Sequence, residues 1–293
     1  MNGLEPIPTG AVIAPGYEVL DHLHRSRAYD VYDAWSTERR CRCVAKTIRP
    51  DRLDERGVRS RLEQEGRLLG RLTHPHILRG YEVLRGPPPV VVTETLRGQT
   101  LAHLLDTAPA LKPREAAVLG LQLCSALAYL HEQGYVHLDL KPSNIVVDGG
   151  RAIVVDLSLA RKPGRARPGI GTWCYLAPEQ ALGGALGPAA DVWGIGVVLY
   201  ESLTGEPLFD DERDSQPGSR ATPGSEAPEE YPQLESRAPR IRSVRRVPPP
   251  LARAVDACLD PDSGGRPSLE ELARALEGVP GAGSPRALRG TAA

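Results

Sequence analysis

The sequence predicts an α+β protein in two parts, a small antiparallel sheet with one helix followed by a mainly helical region. Three observations predict it. At 293 residues the chain is too long for one small core and suits two lobes. Its early part holds short β-branched and aromatic runs broken by polar residues, from Tyr17 to Val31 and from Cys43 to Ile48, the pattern of antiparallel strands joined by turns. Its later part repeats apolar residues at helical spacing, with Leu119, Leu123, Ala126, Leu127 and Leu130 at i, i+4, i+7, i+8 and i+11.

Taken in order, residues 1–15 read as an N-terminal extension, and the folded region as 16–279. Arg59 to Leu72 predicts a helix whose apolar face holds Leu62, Leu69 and Leu72 but also Glu65, a carboxylate that needs a partner. Val90 to Thr95 is a buried strand, and Arg97-Gly98 is a break that divides a lobe over 16–96 from one over 97–279. The helix through Leu119–Leu130 stops near Gly134. Asp191 to Leu203 is a second apolar helix stopped by Gly205 and Pro207, and Ser268 to Leu276 a third, capped by Ser268. Between them, 210–239 is rich in Pro, Gly, Ser, Glu and Arg and is expected to be a flexible insertion, and 280–293 a flexible tail.

Composition removes some classes of function. The charges nearly cancel, 36 Lys+Arg against 37 Asp+Glu, which argues against nucleic acid or a membrane surface as the main partner. Five cysteines, with no second pair to complement Cys41 and Cys43, point to reduced thiols and not a zinc site. There is no signal-peptide pattern and no apolar run long enough for a membrane span, so a cytoplasmic location is expected. His74-Pro75-His76 reads as a structural turn, not a ligand pair.

The chemistry lies in His137-Leu138-Asp139-Leu140-Lys141-Pro142-Ser143-Asn144, followed by Asp156 after the apolar run Ile153 to Val155. Two acids, a lysine and an amide on loops at strand ends suit phosphoryl transfer. A carboxylate orients the attacking hydroxyl, a cation offsets charge on the transferring group, and oxygens hold Mg²⁺.

From about Tyr17 to Leu276 the sequence resembles the eukaryotic-like serine/threonine protein kinases of bacteria, in their actinobacterial form. The resemblance implies a bilobal kinase fold that binds ATP with Mg²⁺ or Mn²⁺ in a cleft and phosphorylates Ser or Thr on proteins, itself included. It gives Lys46, in Val44-Ala45-Lys46, the α- and β-phosphates, and Glu65 the task of holding that lysine. Asp139 matches the catalytic aspartate, Lys141 the lysine near the γ-phosphate, and Asn144 and Asp156 the metal ligands. Val31, Ala45 and Val146 would enclose adenine, with backbone groups of Glu94 and Leu96 on its edge and Thr93 as gatekeeper. Gly171-Thr172, Ala177-Pro178-Glu179 and Arg266 match the activation segment and the arginine that pairs with the Glu179 position.

The chain also departs from the family. No glycine occupies His24 to Val31, where the family has its glycine-rich loop. A solvated hairpin tip is expected there, with Arg25 and Arg27 as alternative phosphate donors. Leu138 replaces the arginine that receives an activation-loop phosphate, and Leu159 to Gly171 contains no Ser, Thr or Tyr. Activity independent of that phosphorylation follows. Asp156-Leu157-Ser158 stands where the family has Asp-Phe-Gly. The rival reading is a pseudokinase that binds partners without transferring phosphate. A small-molecule phosphotransferase fits the activation-segment motifs less well.

Overall fold

The computed structural model describes residues 5–108, 110–209 and 231–282. Four hydroxyl residues of the insertion, Ser215, Ser219, Thr222 and Ser225, would be candidates for self-phosphorylation, and they lie outside the described residues, as do most of the expected insertion and tail. The chain divides into two compact units. The first comprises Met1–Arg97 and Val155–Leu159, the second Gly98–Val154 and Ala160–Ala293.

The first unit is a six-stranded sheet with one long helix. Its strands are β1 (Val12–Ala14), β2 (Tyr17–Arg25), β3 (Tyr29–Ser36), β4 (Cys41–Ile48), β5 (Gly80–Leu84) and β6 (Val90–Thr93), in the order β1-β2-β3-β4-β6-β5. All neighbours pair antiparallel. The sheet starts earlier than the sequence predicts, because β1 is too short to display an alternation. Side chains alternate between faces along each strand. On one face Tyr17, Ala34, Cys43, Ala45, Val90 and Val92 form a buried cluster. On the other, Tyr29, Ile48 and Val91 pack with Val58 and Leu62 of helix α1 (Val58–Leu69). Gly66 lets that helix lie close, since a Cβ there would come within 2.4 Å of Val83 and 2.7 Å of Val91.

The second unit is built on helices. In chain order it holds β7 (Gln99–Thr100), α2 (Leu101–Thr107), α3 (Pro113–Glu132), β8 (Ile145–Asp148), β9 (Arg151–Val154), β10 (Gly164–Ala166), α4 (Pro178–Leu182), β11 (Gly184–Leu186), α5 (Pro188–Thr204), α6 (Pro232–Glu235), α7 (Ile241–Val244), α8 (Pro249–Cys258) and α9 (Leu269–Glu277). Strands β7, β8 and β9 form one small sheet and β10 and β11 another. Helix α5 is buried nearly all round, as the apolar run Val192 to Tyr200 within it requires. It packs on α3 and α8, and α3 packs on α9. Ser268 caps α9 as expected: its Oγ accepts from Glu271 N at 3.2 Å while Glu271 Oε2 accepts from Ser268 N at 2.8 Å.

The loose composition of 210–239 does not extend to its end as looseness in the fold. Tyr231 and Gln233 are buried, Tyr231 against Leu176 and Ala181, and Gln233 Nε2 donates to Trp173 O at 3.1 Å. These two residues bury an aromatic ring and a bonded amide, which polar neighbours in sequence do not prevent. Among the described residues no helix is long and apolar enough to cross a membrane.

Candidate active site

In the first unit, strand register decides which side chains reach Lys46. Lys46 pairs with Val31 on β3 and Val91 on β6, so all three point to the α1 face. Its Nζ donates to Glu65 Oε1 at 3.0 Å and Oε2 at 2.9 Å, and to Asp156 Oδ1 at 3.4 Å. Glu65 thus has the partner that its place on an apolar face demands. Burial disfavours the charge on both. For Lys46 the carboxylates of Asp156 and Glu65 outweigh it and hold the ammonium well above the ordinary lysine range. For Glu65 burial and the nearby Asp156 win, and its pKa is raised. Asp156 Oδ1 also accepts from Ser158 N at 2.8 Å.

One residue of the adenine set needs correction. Ala45 lies on the face opposite Lys46, in the cluster with Cys43 and Val92. Val44 shares the face of Lys46 and pairs with Thr93. A shift of one residue along a strand moves a side chain through the sheet. Thr93 is buried, and Glu94 beyond it is pinned to Arg79, its N–H donating to Arg79 O at 3.0 Å and its Oε1 accepting from Arg79 N at 2.9 Å. Leu96 follows in the irregular stretch after β6.

The glycine-free hairpin between β2 and β3 is closed by charge. Arg25 Nε and Nη2 donate to the two oxygens of buried Asp30 at 2.7 and 2.9 Å, and His22 Nε2 lies 3.1 Å from Oδ1. Arg25, proposed as an alternative phosphate donor, is committed to this clamp; Arg27 sits exposed at the turn. Burial would raise the Asp30 pKa, but Arg25 and His22 overcome it and hold it below the ordinary value. Tyr29, where the family's third glycine falls, turns inward. Its hydroxyl donates to Val58 O at 3.1 Å at the start of α1, and the Lys46 ammonium stands 4.8 Å from its ring centre.

In the second unit Asp139, Lys141, Asn144 and Thr172 come together. Thr172 Oγ1 donates to Asp139 Oδ1 at 2.6 Å and accepts from Lys141 Nζ at 2.6 Å. Lys141 Nζ is also 3.3 Å from Asp139 Oδ2. Asn144 Nδ2 donates to Asp139 O at 2.9 Å and Oδ2 at 3.2 Å. Val146 follows in β8, half-buried. The backbone of this loop is fixed by buried Asp191, whose oxygens accept from His137 N and Leu138 N, each at 2.8 Å. Leu138 has φ 65°, a left-handed conformation uncommon for leucine that these bonds sustain. Gly171 must be glycine: at φ 132° an added Cβ would meet Leu176 at 2.5 Å and Leu138 O at 2.9 Å. Glu179 and Arg266 form a two-pronged ion pair at 2.7 and 2.8 Å.

Residues 17–275 match the protein kinase domain family. The chain belongs to that family. It is similar to the serine/threonine-protein kinase PkaA of Streptomyces coelicolor, at 35% identity over 80% of this chain and 42% of the relative. It is also similar to PknB of Mycobacterium leprae, at 33% identity over 66% of this chain and 33% of the relative. PknD of Mycobacterium tuberculosis is 34% identical over 66% of this chain and 30% of its own length. The chain spans less than half the length of each of these kinases. Two residues that position the kinase motifs have no signal of their own in the sequence: Gln180 and Asp191.

Proposed function

We propose that the chain is a serine/threonine protein kinase that moves the γ-phosphoryl group of ATP onto protein hydroxyls with the help of Mg²⁺ or Mn²⁺. The bonding of the Asp139 carboxylate carries this reading. Oδ1 is taken by Thr172 at 2.6 Å, whereas the partners of Oδ2 stand at 3.2 and 3.3 Å. Oδ2 is therefore the oxygen to which an incoming hydroxyl donates, and Thr172, Lys141 and Asn144 keep it in one orientation.

The residues fit a nucleotide and a hard cation. Lys46 stays charged and, with 14% of its side chain exposed, meets phosphate oxygens at little cost in reorganisation. Asn144 spends its amide hydrogens on Asp139, which leaves Oδ1 as an oxygen donor. Asp156 supplies a carboxylate with 32% of its side chain exposed. Among the described residues no group of three or more His, Cys, Asp or Glu is placed to hold a metal by itself. One or two protein oxygens completed by phosphates is the way Mg²⁺ is usually held. When bound, the cation offsets charge on the phosphates. Lys46 then grips the α- and β-phosphates with Glu65 fixing its direction, and Lys141 donates to the transferring group. In the first unit Val31, Val44, Thr93 and the backbone of Glu94 and Leu96 are assigned to adenine, and in the second Val146 has the same role.

Labelled γ-phosphate transfer to a basic protein and to the chain itself tests the proposal. Asp139→Asn should lower the rate roughly 10²- to 10⁴-fold, the range for a positioned acid or base. Full transfer by that variant refutes the role of Asp139. No transfer by either protein, with Mg²⁺ and with Mn²⁺, refutes the kinase activity in favour of a binding module.

A further inference from the structure

We propose that Gln180 is a positioning residue that pins the segment before Thr172 to the loop bearing Asp139, so that the pair is aligned without a phosphate. The inference rests on the kinase reading and adds a mechanism by which this chain reaches its active arrangement. Gln180 lies in α4 and is 2% exposed. Its Oε1 accepts from Ala177 N at 3.1 Å, and its Nε2 donates to Leu138 O at 2.8 Å and Ile170 O at 2.7 Å. One amide thus joins the catalytic loop, the segment and the start of α4, and both of its hydrogens are used.

The two carbonyls it holds have special places. Leu138 O and Asp139 N belong to one planar peptide. Gln180 fixes the oxygen end, and His137 Nδ1, accepting from Asp139 N at 3.2 Å, fixes the other. The plane from which the Asp139 side chain departs is therefore held at both ends. Ile170 O is two residues before Thr172, whose hydroxyl makes the 2.6 Å bond to Asp139. Gly169 N also donates to Gln180 O at 2.8 Å, so the segment meets the glutamine through backbone as well as side chain. Gln180 in this way sets the origins of both partners in the Thr172–Asp139 bond.

Segments of this kind are commonly ordered by a new arginine–phosphate pair. Here Leu138 offers no guanidinium, and Leu159 to Gly171 offers no hydroxyl to modify. A neutral amide sealed from water meets the same need, because opening the segment would leave one hydrogen of the buried Gln180 amide without its acceptor, Ile170 O.

Gln180 is also the third residue of α4 and caps it through Oε1, so the experiment must separate capping from pinning. Gln180→Glu does so: the carboxylate still accepts from Ala177 N but cannot donate to either carbonyl. Hydrogen exchange of the 160–172 amides is the primary readout and needs no catalysis. In Gln180→Glu at pH 7.5 we expect exchange, corrected for its intrinsic rate, to speed up roughly tenfold, for the one lost bond, to Ile170 O, that ties the segment to the side chain. kcat should fall while KM for ATP stays within about twofold, since the nucleotide-gripping Lys46 and Glu65 are untouched. At pH 5.5 a protonated glutamic acid regains one donor, and exchange should slow again by about tenfold. Gln180→Met, uncharged and of similar length, should match the neutral-pH loss with no recovery in acid, and serves if the glutamate variant does not fold. Phosphatase treatment should leave wild-type exchange and rate unchanged. Wild-type exchange in either variant, or a segment loosened by phosphatase, overturns the proposal. A wild type that is inactive yet loosened by Gln180→Glu overturns the kinase reading and leaves the pin standing.

Discussion

The ion pair between Glu179 and Arg266 is the place where loss of one side chain should cost most. The Arg266 side chain has 0% exposure and the Glu179 side chain 19%. Besides the carboxylate, the guanidinium donates to Asp260 O at 2.8 Å, Ala189 O at 2.9 Å and Pro261 O at 3.3 Å, and stands 5.1 Å from the Trp193 ring centre. Among the described residues, Glu179→Ala leaves that buried cation with three carbonyls as its acceptors. Removing one partner of a buried pair costs about 3–5 kcal/mol. At roughly 2–4 °C per kcal/mol for a protein of this size, the melting midpoint should drop by about 6–20 °C. Arg266→Met should sit at the lower end of that range, because the stranded Glu179 can draw in water. Thermal unfolding followed by circular dichroism at low and high salt is the assay. The loss should persist at about 1 M salt, since screening weakens exposed pairs far more than buried ones. A shift below about 2 °C for Glu179→Ala would mean that the pair contributes no net stability.

Other consequences can be checked with single variants. Asp30→Asn should destabilise the protein by about 2 kcal/mol near neutral pH, as charge-assisted bonds to a buried acid are lost. The Asp30 pKa is lowered from 3.8, so its contribution is present above that pH and vanishes as pH falls through the folded value; the gap between variant and wild type in urea melts should close in acid. A gap that persists at pH 2 would show that the clamp acts by shape and not charge. Tyr29→Phe should cost about 1 kcal/mol by removing the hydroxyl's bond to Val58 O, and Tyr29→Leu more, because the ring beneath Lys46 is lost too. Equal stability of all three proteins in urea would refute that role. Of the five cysteines, Cys41 and Cys174 are half-buried and should react with a thiol reagent in the native state, while Cys43, Cys124 and Cys258 should react only after unfolding. Burial pushes Cys43 to about 11 and Cys124 to about 12 and raises Cys258 as well, so little thiolate is present at pH 8.

What the sequence makes legible are features with a local cause. Helix α3 shows itself by apolar spacing, α9 by its Ser268–Glu271 cap, and Glu65 by being a carboxylate on an apolar face. The hydrogen-bonded set around Asp139 is anticipated because its members lie within a few residues of one another or of a recognisable motif. Features fixed by partners distant in sequence are not legible. Nothing in the spelling of Arg25 to Asp30 reveals a buried acid gripped by an arginine, and Asp191 looks like any acidic residue opening a helix. The exchange of Val44 for Ala45 has another cause: two small apolar residues precede Lys46, and only strand register says which shares its face. Tyr231 and Gln233 are hidden by their setting, since a window dominated by Pro, Ser and Glu masks two residues that become buried.

The assignment of Val155–Leu159 to the first unit has a consequence for how the protein is made. The chain leaves that unit at Arg97 and returns to it only for this short stretch, which supplies Asp156 at 3.4 Å from Lys46 and the Ser158 amide that holds it. A nascent chain of a hundred residues therefore contains the sheet and Glu65 but lacks the second acid beside Lys46. The ribosome must add roughly sixty more residues, about 3–12 s of synthesis at ordinary rates, before that lysine has its full set of partners. Fragments cut near Arg97 for expression should accordingly be less stable than the sheet alone suggests, and a co-expressed piece beginning at Gly98 would have to donate the missing strip in trans.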